Sequence, residues 1–310
     1  MTSPFGFVII DKPSGITSHD CVKRIRKIFG IRRVGHGGTL DPEVTGVLPI
    51  AIGNATRLLP YLPSSKTYNG IIQLGIQTNT DDLQGEIIKK GPWPKLDESS
   101  LNKILDKFRG KTNQVPPLFS SVHFQGERSY KKARRGDSFS LPSKEINLFN
   151  LEVLNWNQAK GEINLSIHCS SGTYIRSLAR DIGNLIGCGG SLSKLRRLKA
   201  LGFDENEAQS LHILEENQES KDLKVINPTN SLSHLPCVKL IDEKEILYWQ
   251  TGRKINIPEN RIREGQTSIA DKDIPKRHVL IKNSDGEIEG IGLHIGANNI
   301  QPKVVLKGLG

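Results

Sequence analysis

Ile175, Leu178, Ala179, Ile182, Leu185 and Ile186 repeat at helical spacing on one stripe, behind a stretch in which Ile163, Leu165 and Ile167 alternate. A period of two giving way to one of 3.6, across the turn Ser170-Ser171-Gly172-Thr173, predicts strand, turn and helix in that order. Arg176 and Arg180 fall off the apolar stripe, which reads as an exposed helical face. Cys188-Gly189-Gly190-Ser191 ends the helix, and Leu195-Arg196-Arg197-Leu198 begins another apolar and basic segment.

The same two periods recur upstream. Phe5 to Ile10 is a short apolar run closed by Asp11-Lys12-Pro13-Ser14-Gly15, a buried strand entering a tight loop. Thr17 with Asp20 makes a capping box for a helix whose inner stripe is Val22, Ile25, Ile28 and Phe29. Gly70 to Ile76 alternates as a strand, and a helix capped at Asp97 runs to Phe108 with Leu101, Ile104, Leu105 and Phe108 inward. From 112 to 142 the chain is turn-rich and basic, an insertion with at most a short helix. The region 214–233 turns polar and reads as a boundary. Beyond it come a helix near 242–250 and strands at 279–282, 288–294 and 303–306, a small β-rich second domain. Strands and helices are segregated rather than strictly alternating, so an α+β domain is expected over a doubly wound one. The expected division is 1–233 and 234–310.

Charge narrows the partners. The chain carries a formal +10, and Lys23, Arg24, Arg26, Lys27, Arg32 and Arg33 crowd one helix and its exit. Such an excess favours polyanions, which release condensed counterions when Lys and Arg displace them. No apolar run has the 18–20 or so residues needed to span a bilayer, and the N-terminal stretch lacks the pattern of a signal peptide. The four cysteines show no C-x-x-C spacing, so neither a zinc site nor a disulfide framework is expected. A cytoplasmic, reduced, soluble protein is the expectation.

Asp41 sits between Leu40 and Pro42, after Gly35, Gly37 and Gly38. Glycines admit close backbone approach, and proline stiffens the chain behind the carboxylate. Taken alone, Asp-Pro reads as a turn sooner than as a reaction centre. The glycines fit neither a dinucleotide nor a P-loop fingerprint. His36, between glycines, is better placed for contact than for core packing. Tyr68 alone would be ordinary strand packing.

The motifs taken together change that reading. Gly35-His36-Gly37-Gly38-Thr39-Leu40-Asp41-Pro42, then Thr45-Gly46-Val47-Leu48-Pro49 and Gly53-Asn54-Ala55-Thr56-Arg57, resembles the signature of the TruB family of tRNA pseudouridine synthases. Asp11-Lys12-Pro13-Ser14-Gly15, Lys66-Thr67-Tyr68, Ser120-Ser121-Val122 with Gly126 and Tyr130-Lys131-Lys132-Ala133-Arg134, Gly172-Thr173-Tyr174-Ile175-Arg176, and Leu195-Arg196-Arg197-Leu198 follow in the family's order. The resemblance covers roughly residues 5–200. Three positions depart from it. Gly37 replaces a common threonine, which predicts a looser loop. Ser121 stands for alanine and His123 for lysine.

The resemblance implies an α+β pseudouridine-synthase domain with a mixed, mainly antiparallel sheet flanked by helices. A small, β-rich PUA-like RNA-binding domain would follow from 234. It implies isomerisation of one uridine, position 55, in the T-loop of tRNA. Asp41 would be the catalytic carboxylate, Arg176 its partner, and Tyr68 the residue stacking on the flipped base. His36, Tyr174, Leu195 and Lys12 would bind substrate. The base must leave the stack because its sugar and edges are otherwise out of reach. Either a covalent adduct or a glycal route needs an ionised, oriented carboxylate. Neither metal nor organic cofactor is expected, and no protein partner; a monomer acting on the tRNA T-arm is. Basic segments 23–33, 128–135 and 194–199 would grip phosphates. The alternatives are a guide-RNA-dependent synthase, a non-catalytic tRNA-binding or chaperone protein, and a phosphatase-like aspartyl enzyme. The last lacks a second nearby acid.

Overall fold

The computed structural model describes residues 5–216, 224–266 and 277–308, so most of the polar run expected as a boundary, 217–222, lies outside the described residues. Strand β1 (Gly6–Lys12) leads into helix α1 (Ser18–Phe29), then β2 (Val34–His36), β3 (Thr45–Ile52) and β4 (Lys66–Leu74). A hairpin of β5 (Ile76–Thr78) and β6 (Ile87–Lys90) precedes α2 (Glu98–Asp106) and β7 (Gly110–Gln114). Another, β8 (His123–Phe124) with β9 (Glu127–Arg128), runs into α3 (Ser129–Arg134). The long β10 (Lys144–Asn157), β11 (Glu162–Cys169), α4 (Ile175–Ile186) and β12 (Gly190–Ala200) follow. Next come β13 (Phe203–Asp204), β14 (Gln209–Ser210), α5 (Leu211–Glu216) and α6 (Pro228–Ser231). The C-terminal part holds β15 (Cys237–Lys239), α7 (Glu243–Gln250), β16 (Ile255–Asn256), β17 (His278–Lys282), β18 (Ile288–His294) and β19 (Asn299–Val305). The architecture is α+β, with a mixed sheet, helices and a β-rich C-terminal part.

Two compact units are present: residues 1–42, 46–64 and 200–310, and residues 43–45 with 65–199. In the first, β1 runs antiparallel to β3 along its whole length, from Gly6 opposite Ile52 to Lys12 opposite Gly46. β2 borders β3, and β14 adds a parallel neighbour to β1. The C-terminal strands form their own sheet in the order β15-β17-β18-β19-β16. Leu280, Ile288, Ile291 and Val304 from that sheet share one core with Phe7, Ile9, Val47 and Ala51. A second core gathers on fully buried Trp249. Helix α1 begins where the sequence says it should. Thr17 and Asp20 close a reciprocal capping box, and Gly30 ends the helix at φ +63°.

In the second unit the sheet order is β12-β4-β11-β10-β7. Ile72 opposes Ile163, Gly70 opposes Leu165 and Tyr68 opposes Ile167 across β4 and β11. Strand β10 left little trace in the sequence because its register slips twice, between Leu148 and Asn150 and between Val153 and Asn155. Each slip breaks the alternation that would announce a strand. Thr112 to Gln114, expected inside an irregular insertion, are the end of edge strand β7, paired with β10. The short helix expected there is α3.

Helix α4 meets the start of β12 at van der Waals limit. A Cβ on Gly183 would lie 2.1 Å from Gly190 N and 2.2 Å from Gly189 C, and both neighbours are backbone that cannot step aside. Gly183→Ala is therefore expected to destabilise the protein by about 3 kcal/mol or more. Urea unfolding monitored by circular dichroism would read this; an unchanged midpoint would contradict the close approach.

Candidate active site

Leu40, Asp41 and Pro42 are held from both sides. Ser18, buried at the first turn of α1, donates its hydroxyl to Leu40 O at 3.1 Å and accepts Leu40 N–H at 2.8 Å. Lys12 is fully buried, and its ammonium donates to Pro13 O, Ile16 O and Pro42 O at 2.8, 2.7 and 2.8 Å. Gly15 N–H also donates to Pro42 O, at 3.0 Å. A buried ammonium is costly unless its donors are satisfied, and here carbonyl dipoles satisfy them. Asp41 therefore projects, half-buried, from a backbone fixed at both neighbours. Lys12, expected to bind substrate, reaches the loop's own carbonyls. His36 ends β2, opposite Ile50, and is half-buried.

Gly37 does not loosen this loop. Its N–H donates to Pro49 O at 2.8 Å, and a Cβ there would fall 2.1 Å from Leu201 Cδ1 and 3.2 Å from Leu59 Cδ2. Leu201 occupies the space a larger residue would need, and does so at φ +56°. The expectation of a slack loop is corrected on that ground.

The second unit presents a different set. Tyr68 and Gly70 share one face of β4. Leu195 lies over Gly70, with its Cδ1 3.2 Å from where a Cβ would be, and Ile175 at the start of α4 is 3.8 Å away. Tyr68 is buried, and its side chain hydrogen-bonds Arg197. Burial pulls the Arg197 guanidinium below its ordinary value, partly offset by Tyr68. Burial, then the charge of Arg197, likewise depresses the Lys66 ammonium. Tyr174 is the residue before α4. Buried Gln114 clamps its backbone twice, accepting Tyr174 N–H at 2.8 Å and donating to Tyr174 O at 3.0 Å.

Arg176 is buried, not the exposed helical arginine that periodicity implied. One Nη donates to Thr80 O and the other to Phe119 O, each at 3.0 Å, and Nε lies 3.7 Å from Asp82 Oδ2. The chain packs two loops around α4 at this point, which helical periodicity alone does not reveal. Arg197 is fully buried as well, so it is no part of a phosphate-facing stretch at 194–199. In the 128–135 cluster, Arg135 is tied to Glu127 and Asp137 at 2.7 and 2.9 Å. Lys132 covers the stacked rings of Phe124 and Phe139. Ser18, Gln114, Asp82 and Arg197 were missed by sequence reasoning. Of these, Arg197 had a signal in its motif Leu195-Arg196-Arg197-Leu198, and Asp82 could have been noticed from the adjacent acids Asp81-Asp82. Among the described residues, no group of three or more His, Cys, Asp or Glu is placed to hold a metal ion. Nor does any helix there have the length and apolarity to cross a membrane.

Residues 26–175 match the family model described as TruB family pseudouridylate synthase (N terminal domain). Residues 176–233 match the tRNA pseudouridylate synthase B C-terminal domain. The chain belongs to the TruB family. A relative named tRNA pseudouridine synthase B, from Prochlorococcus marinus strain NATL2A, is 52% identical over 314 residues and covers 100% of both chains. Another of the same name, from Parasynechococcus marenigrum strain WH8102, is 47% identical over 310 residues, again covering 100% of each. Among solved structures, a chain from the crystal structure of a Cbf5-Nop10-Gar1 complex is similar with TM-score 0.73 and 25% identity. The match covers 98% of this TruB chain and 85% of that one. A chain of an H/ACA RNP bound to a substrate RNA containing 2'-deoxyuridine shares the fold, with TM-score 0.71 and 24% identity over 97% and 85% of the two chains.

Gly37→Thr, a change toward the family's common residue, is expected to lower the melting temperature because Leu201 already fills the site. Adding Leu201→Gly removes both the clash and the left-handed strain, so the double variant should recover most of the loss. Calorimetry of the two single variants and the double tests the pairing; additive losses would refute it.

Proposed function

We propose that this chain converts one uridine in the T-loop of tRNA, position 55, to pseudouridine. The observation that carries this reading is the two-sided clamp on Leu40 and Pro42, which aims the family-motif carboxylate of Asp41 from a rigid backbone. Its support beyond the geometry comes from relatives named tRNA pseudouridine synthase B at about half identity over full length.

The uridine is extruded from the stack, and the Asp41 carboxylate acts on the base or its sugar while the glycosidic bond breaks. The uracil turns and rejoins through carbon 5, which then gives up its proton while nitrogen 1 gains one, so the product is an isomer of the starting uridine. A preformed carboxylate needs no reorganisation as charge develops, which is the general advantage of fixed catalytic dipoles and charges. Arg176 keeps the carboxylate ionised and aligned, and Tyr68 stacks on the extruded base. Leu195 and Tyr174 wall the pocket, and His36 displaces the base from its loop. Lys12 holds the loop rather than the RNA. The exposed cations Lys23, Arg24, Arg32, Arg128 and Lys131 contact phosphates. The rotation involves no net redox change, so the reading requires no redox cofactor. A small RNA-binding module from residue 234 onward belongs to the same reading.

The guide-RNA alternative rests on the fold shared with the Cbf5 chain, whose 25% identity is about half that of the tRNA-synthase relatives. The discriminating experiment incubates the purified protein with an unmodified tRNA transcript and no other RNA, then maps pseudouridine by carbodiimide modification and primer extension. A single new stop at the T-loop uridine is expected. Asp41→Asn should reduce turnover by on the order of a thousandfold or more while tRNA affinity stays near wild type. Near wild-type turnover in that variant would sink the assignment. If about six phosphates are contacted, tRNA affinity falls roughly a thousandfold between about 50 and 200 mM salt. Filter binding across that range checks the electrostatic part.

A further inference from the structure

Arg176 and Arg180 lie one turn apart on α4, and both reach the same two segments. Arg176 donates to Thr80 O and Phe119 O. Arg180 pairs with Asp81 through Nη1 at 2.9 Å, donates to Val115 O through Nη2 at 2.9 Å, and meets Asp181 through Nε at 2.9 Å. Ser177 adds a 2.9 Å bond to Val115 O. The turn after β5 and the 115–119 segment are thus stapled to the helix twice, once by each arginine.

Asp81 is an expensive choice for this turn. Its backbone sits at φ +62°, a left-handed conformation that residues other than glycine adopt at a cost, and its side chain is 11% exposed. On the other side of the turn its carbonyl accepts Leu192 N–H at 2.9 Å, and Leu83 N–H donates to Leu192 O at 3.0 Å. Thr80 Oγ and Gln84 N–H both bind the Asp82 carboxylate, at 2.7 and 3.0 Å, so Asp82 points where the turn dictates. We propose that Asp81 is a positioning residue for the reaction. Its ion pair with Arg180 fixes the turn and the root of the 115–119 segment, so that Thr80 O, Phe119 O and Asp82 present the Arg176 guanidinium in one orientation. This rests on the reading of Arg176 as the reaction-centre arginine.

Burial pushes the Asp81 carboxyl up to about 6, against the pull of Arg180 and then Arg176, with Asp181 raising it further. Asp82, next in the turn, is the other acid close by; the 115–119 segment, Val-Pro-Pro-Leu-Phe, and Leu192 bring no charge. The native state therefore holds this proton more tightly than the unfolded chain does. Ionised Asp81 lowers stability at neutral pH, and that loss is recovered as pH falls from about 6 towards 4. An ion pair whose attraction outweighed its desolvation would have the opposite sign. Strain and an unfavourable charge at one residue point to function.

The test is Asp81→Asn, since Asn tolerates left-handed φ and matches the shape while removing the charge. At pH 7.5 on a tRNA transcript, kcat should fall roughly tenfold with KM nearly unchanged and a melting temperature no lower than wild type. The ratio of wild-type to variant kcat should shrink toward one as pH drops through about 6, where Asp81 itself is neutral. Arg180→Gln should lose a similar factor, and the double variant no more than either single one. An active wild type with kcat unchanged in Asp81→Asn overturns the proposal. So does a loss of kcat that follows a lowered melting temperature and shows no pH dependence. A wild type that makes no pseudouridine would instead overturn the functional reading beneath it.

Discussion

A fully buried ammonium with three carbonyl oxygens around it is the constraint on which the carboxylate loop depends. Lys12 ends the strand that anchors the first unit's sheet, and its Nζ draws Pro13, Ile16 and Pro42 together. Removing it would take the ammonium donor from Pro13 O, Ile16 O and Pro42 O, of which Pro42 O keeps the Gly15 N–H, and leaving enclosed carbonyls unpaired costs more than the bonds' net worth. Ser18 performs the matching task for Leu40 from the first turn of α1. The sheet and the capped helix are therefore not mere scaffolding. Each extends one polar side chain, and between them they leave the Asp41 backbone almost no freedom.

The second unit solves a related problem with arginines. Helix α4 is amphipathic, yet Arg176 and Arg180 are largely enclosed because loops fold over the face that periodicity marks as polar. Guanidinium suits this work: its fixed fork can serve carbonyls and carboxylates at once without losing its charge. Gly183 and Gly190 let β12 lie against the helix, and Gly70 lets Leu195 lie over β4. Small residues thus set where the large ones meet.

Much of this was legible beforehand. The Thr17–Asp20 capping box, the stripe of α4, the alternation of β4 and β11, and the β-rich C-terminal part follow from local periodicity and cap chemistry, which act over a few residues. Asp41 became conspicuous only through the ordered motifs around it. What stayed hidden depends on distant partners. β10 slips register twice, Arg197 is buried against Tyr68, and Leu201 fills the space above Gly37. Periodicity alone would leave Arg176 exposed for the same reason: hydrophobic period reports which face of a helix is apolar, not which loops later cover the polar one.

The shared core of the first unit bears on how the chain is made. Phe7 and Ile9 leave the ribosome early, but Ile288, Ile291 and Val304, which complete their packing, come nearly three hundred residues later. Residues 65–199, by contrast, are contiguous and pair β4, β11, β10 and β7 with one another, so that stretch can close while synthesis continues. The first strand can pair with β3 early, but its packed face must wait for those last neighbours, a long-range closure of the kind that slows folding and exposes chains to aggregation. Asp11 and Lys12, set directly after the apolar run from Phe5 to Ile10, put charge at the end of that waiting strand.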